Sequence, residues 1–195
     1  MSDPASGRRV LGVQVGRTER LRVVEEWVTS GIRKTGHAGP VSVRPLGLVG
    51  DEQADLSVHG GLSKAVYAYP VEHYDFWSAQ RRALGLEPQL PFGSLGENLT
   101  ISGLLETELF VGDELKFPDC VLRVTQPRKP CFKFVAVMGD PQAARKMIQS
   151  GYCGFYLAVD EPGTLAAGQS FELVKGPRQT PLMTLFPRAW KGTAG

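Results

Sequence analysis

The stretch Val58-His59-Gly60-Gly61-Leu62-Ser63-Lys64-Ala65-Val66-Tyr67-Ala68-Tyr69-Pro70 decides how the rest of the chain is read. Its paired glycines mark a turn or loop, and Ala65 to Tyr69 form an apolar run of strand length. Pro70 suits the first turn of a helix, where a missing N–H costs nothing. Val71, Tyr74, Trp77 and Leu84 then recur at helical spacing, which predicts one amphipathic helix to about Leu84, stopped at Gly85.

Outward from this unit the elements stay short. Upstream, residues 10–15 and 21–28 read as strands, and 31–45 as loop around a short Val41-Ser42-Val43 strand. Downstream, Leu95 to Ile101 is a turn running into a strand. Residues 114–117 and 120–125 read as a hairpin across Pro118-Asp119, with Cys120, Leu122 and Val124 alternating against Val121 and Arg123. Asp140-Pro141 supplies an N-cap and first-turn proline for a helix bearing Ala143, Ala144, Met147 and Ile148, ended by Gly151. Residues 155–159 and 170–174 read as closing strands. Glycine and proline number 23 and 14 of 195 residues, above the average combined share of about 12%, and show no period. This order predicts a mainly β domain with a few helices (α+β), barrel-like or sandwich-like, rather than a parallel βαβ sheet. The domain spans residues 1–176, and 177–195 form a short tail containing Pro177, Pro181 and Pro187.

Charge and composition exclude several classes. A net charge of +2 gives no basic surface for tracking phosphates, so no nucleic-acid partner is expected. No apolar run is long enough to span a bilayer, and the polar N-terminus lacks an apolar signal region, so a cytoplasmic protein is expected. Three cysteines at uneven spacing do not make a disulfide framework. Dinucleotide-binding and phosphate-loop glycine motifs are missing.

The strongest chemical candidate is Gln126-Pro127-Arg128-Lys129-Pro130-Cys131-Phe132-Lys133. Cys131 follows a strand, opens an apolar and helix-compatible segment, and has three cations within a few residues. Cations and a helix start both favour thiolate, so a lowered pKa is expected; a half-buried cysteine among solvated lysines is the plainer alternative. In the second candidate, His59 to Lys64, Gly60 and Gly61 let backbone N–H groups approach an anion and Lys64 supplies a counter-charge. An ordinary glycine turn is equally compatible. His59 itself is read as ligand, acid/base or simple hydrogen-bonding group. Cys120 reads as core, and Cys153 as packing or site. Asp51, Glu52 and Asp55 read as a solvated acidic turn before catalytic carboxylates. The three histidines are too irregularly spaced for a metal site, with His73 on a surface helix. Gly96-Glu97-Asn98 reads as a turn whose side chains cap backbone groups, with a pocket-lining role second.

Taken in order, these motifs resemble the MOSC domains, named for the C-terminal domain of molybdenum-cofactor sulfurases. They are most similar to the small stand-alone bacterial branch that includes the N-hydroxylaminopurine-resistance proteins. The matching segments are Leu46-Gly-Leu-Val-Gly-Asp-Glu-Gln-Ala-Asp55, His59 to Pro70 with His73-Tyr74 and Trp77, Phe92 to Leu99, Val111-Gly-Asp113 and Gln126 to Cys131. They cover roughly residues 31–174. Some relatives carry a second histidine where this chain has Val58.

The resemblance implies a barrel-like β fold and the molybdenum cofactor (molybdopterin) as ligand, with Cys131 as the molybdenum ligand or sulfur carrier. Pyridoxal phosphate is not expected. His59, with Cys131, would be catalytic, and Gly60, Gly61, Lys64, Asn98, Arg128 and Lys129 would bind the cofactor. The activity implied is reduction of N-hydroxylated compounds such as hydroxylamino base analogues and amidoximes. The chain has no flavin or iron–sulfur motif, so a separate flavin or iron–sulfur reductase would donate electrons. The alternatives are a non-catalytic carrier of sulfur or of molybdenum cofactor using Cys131, and a metal-free thiol enzyme. A homodimer is compatible with all of these.

Overall fold

The computed structural model describes residues 7–54 and 60–189, and its elements are as short as the glycine and proline content implies. Among the described residues the strands are β1 (Arg9–Val15), β2 (Glu19–Val23), β3 (Glu26–Ser30), β4 (Thr35–Gly36), β5 (Val41–Arg44), β6 (Gly47–Leu48), β7 (Val66–Pro70), β8 (Leu99–Ser102), β9 (Glu114–Lys116), β10 (Val121–Pro127), β11 (Phe155–Glu161), β12 (Gly163–Leu165) and β13 (Glu172–Val174). The helices are α1 (Tyr74–Ala83), α2 (Phe132–Met138) and α3 (Ala143–Ser150). The mainly β, α+β class read from the sequence is the class observed.

Eight strands form one mixed sheet in the order β13-β9-β10-β11-β7-β8-β1-β4. Every pairing in it is antiparallel except β7 with β8. The sheet curls until its ends approach: Arg9 in β1 bridges to Ser170, just before β13. Val10 N donates to Gln169 O (2.9 Å) and Gly168 N to Val10 O (2.7 Å). The result is barrel-like, joined by this short contact rather than a full ladder. A three-stranded sheet, β12-β5-β6, and a separate two-stranded ribbon, β2-β3, complete the β structure.

All five residues of β7 are buried, because the strand divides two cores. Val66 and Ala68 point into the barrel with Val10, Leu99, Leu122, Val124, Phe155 and Leu157. Tyr67 and Tyr69 point the other way, into a second core with Trp77, Cys131, Phe134, Met147 and Cys153 beneath the three helices. Side chains alternate along a strand, so an unbroken apolar run is what a strand covered on both faces requires.

Three expectations change. Pro70 closes β7, and residues Val71–His73 form a 3-10 turn, so the α-helix begins only at Tyr74. The single strand over 21–28 is a hairpin, turning at Val24 (φ 54°) between β2 and β3. Val24 is a left-handed residue of a type that rarely adopts that conformation, so no turn residue advertised it. Finally, the proline-bearing tail packs on the fold: Leu182 is fully buried in the barrel core, its N–H donates to Leu109 O (2.9 Å), Arg178 pairs with buried Asp113 (3.0 Å), and Met183 and Phe186 lie against the second core.

Candidate functional site

β10 delivers the candidate segment. Pro127 is its last residue, still paired with Phe155 of β11, and Arg128 N donates to Gly154 O at 3.2 Å. The chain then leaves the sheet, and Cys131, in extended backbone (φ −141°), caps the seven-residue helix α2. The turn that receives Arg128 needs glycine at 154: φ is +66°, and a Cβ there would lie 2.5 Å from Ala68 O.

Arg128 is 4% exposed and Cys131 5%. The guanidinium lies between the rings of Tyr67 (5.2 Å) and Phe134 (5.0 Å). Its Nη2 reaches Cys131 Sγ and its Nη1 Met147 Sδ, each at 4.0 Å, with the Tyr156 hydroxyl nearby. No carboxylate is paired with it among the described residues. Burial opposes its charge, but Tyr67, Cys131 and Tyr156 outweigh that and its pKa is raised. Lys129 is exposed, and Lys133 donates to Thr29 O of the ribbon (2.8 Å). The cation at the sulfur is therefore Arg128.

These residues open onto a cleft whose wall includes Cys131, Arg128, Lys64, Asn98, Tyr67, Tyr156 and Lys133. Lys64 lies over the Tyr156 ring (6.0 Å). Gly60 is buried and Gly61 half-buried beside the cleft; Gly61 N donates to Gln53 Oε1 (2.9 Å), so that N–H serves the loop itself. The Asn98 side chain knits the fold, accepting from Tyr67 N (3.0 Å) and donating to Gln14 O (3.3 Å) and Asp51 Oδ2 (2.9 Å). His59 and Asp55 lie outside the described residues.

Of the acidic turn, Glu52 is solvated as read but Asp51 is not. Asp51 is buried at the cleft, paired with Lys34 and accepting from Gly16 N (2.9 Å), while exposed Glu52 caps Thr18 and is held below the usual carboxylate range chiefly by that residue's backbone N–H. His73 is buried rather than on a surface: it stacks on Tyr152 (3.9 Å) and bonds Glu106 (2.8 Å). Glu106 also accepts from Cys153 N (3.1 Å) and Gly154 N (2.6 Å), fixing the turn behind Arg128. Cys153 is fully buried, and burial pushes its thiol well above the ordinary value; burial likewise pushes Cys120 up to about 12. Lys34, Glu106 and Tyr156 carried no local signal, because each matters through partners distant in sequence.

Among the described residues no helix is long and apolar enough to cross a membrane, and no three His, Cys, Asp or Glu side chains converge as a metal cage. A family model for the MOSC domain matches residues 55–172. The uncharacterised protein YflK of Bacillus subtilis (strain 168) is 37% identical over 165 residues, covering 85% of this chain and 72% of its own. A Gibberella moniliformis protein named as a reductase is 35% identical over 170 residues, 86% of this chain but 29% of that longer protein. The crystal structure of YiiM from Geobacillus stearothermophilus superposes with a TM-score of 0.67 at 30% identity, over 86% of this chain and 75% of that one. With fold, motif order and matched length in agreement, the chain belongs to the MOSC domain family.

Proposed function

We propose that the protein binds the molybdenum cofactor through Cys131 and, so loaded, reduces N-hydroxylated small molecules with electrons from a separate reductase. The observation that carries this reading is the Cys131–Arg128 arrangement: a sulfur at an open cleft, backed by a buried guanidinium that has no carboxylate partner among the described residues. A soft, negatively charged sulfur ligand fits that position, since thiolate is the form that binds soft metals. A metal held by one protein sulfur and otherwise by its own organic ligand also needs no cage of protein side chains.

When bound, the cofactor supplies a centre that takes oxygen from the substrate in a two-electron step. The chain's own part is binding and orientation. Arg128 holds charge at the sulfur, and Tyr67 and Tyr156 offer flat walls to a planar ligand. Lys64 and Lys133 bring positive charge to the cleft, with His59, Gly60, Gly61 and Lys129 nearby in sequence as partners for an anionic group. The 5% exposure of Cys131 favours a reductase over a carrier, which must present its sulfur to another protein.

The test uses protein from cells that make the cofactor, measuring molybdenum per chain and reduction of benzamidoxime with a flavin reductase supplied. Wild type is expected to carry molybdenum and turn over, and Cys131→Ser to lose both. Cys131→Ser that keeps its molybdenum and activity would overturn the assignment. A persulfide on Cys131 without turnover would establish the carrier function instead.

A further inference from the structure

Five tyrosines occur in the chain, and four are packed in or against the second core. Three of those spend their hydroxyl protons on named acceptors: Tyr67 on Cys153 O (2.8 Å), Tyr69 on Tyr152 O (3.0 Å) and Tyr74 on the Glu97 carboxylate. The fourth, Tyr156, is different. Its hydroxyl lies near the Arg128 guanidinium, which can only donate, so no acceptor for the tyrosine proton is found there. Its own proton has no acceptor among the described residues, and the side chain faces the cleft. The same guanidinium touches Cys131 Sγ (4.0 Å), so hydroxyl and sulfur flank one buried cation.

We infer that Tyr156 is the cleft's hydrogen-bond donor to the N-hydroxyl oxygen of the substrate. A hydroxyl set near a cation is a better donor in turn, and partial burial at the cleft strengthens the bond it makes. Two electrons from the separate reductase and two protons from solvent convert N–OH to N–H, with the N–O bond broken and the oxygen leaving as water. Tyr156 would stabilise negative charge on that oxygen as the bond lengthens. This inference rests on the reductase reading above.

The test compares Tyr156→Phe with wild type, Cys131→Ser and Tyr69→Phe, all expressed with the cofactor, on benzamidoxime. Tyr69→Phe removes a hydroxyl of the same core that is already committed away from the cleft. For Tyr156→Phe the expected result is unchanged molybdenum per chain, kcat lower by about 10²-fold, and KM within about threefold. Tyr69→Phe should lose thermal stability yet hold kcat within about threefold of wild type. Tyr156→Phe with wild-type kcat, while Cys131→Ser is inactive, would overturn the inference and leave the reductase reading standing. Loss of molybdenum in Tyr156→Phe would also overturn it, because the hydroxyl would then serve the cofactor. A wild type with neither molybdenum nor turnover would bring down both.

Discussion

Glu97 holds a carboxyl entirely out of water, with Tyr74, Gly93 N (2.7 Å), Leu95 N (3.1 Å) and Thr100 (3.0 Å) all donating to it. Burial favours the neutral form and the four donors the charged one; burial wins, and the pKa is raised above 4.5. Linkage fixes the sign. The fold binds the proton more tightly than the unfolded chain does, so this contribution is complete below the unfolded value and fades as pH rises through the folded one. Urea unfolding across that window should show Glu97→Gln losing less stability with rising pH than wild type, and equal slopes would refute this. The sequence reading had Gly96-Glu97-Asn98 as a backbone-capping turn, which is what the side chains do. It misread Asp51 and His73 as surface residues. Their burial is decided by Lys34 and Glu106, 17 and 33 residues away, and no window of local sequence contains such partners.

Among the described residues the β2–β3 ribbon pairs only with itself, and a lone hairpin is marginal in water. Its hold on the molecule is therefore where it docks, through buried Leu21 and through Lys133 of α2, which donates to Thr29 O (2.8 Å). Ser30 and Gly31, at its end, line the cleft that Cys131 also faces. Lys133→Met should free the ribbon and raise the rate of Cys131 alkylation by iodoacetamide several-fold, with little change in Tm. An unchanged rate would show that the ribbon does not limit access to the sulfur. This hairpin was the element the sequence concealed most fully, because Val24 supplies its turn without glycine, asparagine or proline. By contrast the end of α3 was legible, since Gly151 stops it as read. Its start falls two residues later than Asp140-Pro141 suggested, with Gln142 at the cap and its N–H donating to Asp140 Oδ1 (2.8 Å).

At the scale of the molecule, the barrel core reaches into the C-terminal segment. Leu182 fills it from beyond the last strand, so Leu182→Ala should cost about 2–5 kcal/mol, read by denaturant unfolding; a loss below about 1 kcal/mol would mean the segment is merely appended. The mainly β class was legible because alternation and turn residues are local. The division into two cores was not, since it depends on which face of the curled sheet the helices cover. That division has a consequence for how the chain tolerates change. Because β7 sends Val66 and Ala68 one way and Tyr67 and Tyr69 the other, a slip of one residue in its pairing would exchange the two sets. Two phenols would be forced into an aliphatic interior, and the cation would lose the ring stacked against it. The length of the loop ahead of β7 is therefore held fixed: the barrel acts as a ruler, and the site is read off against it.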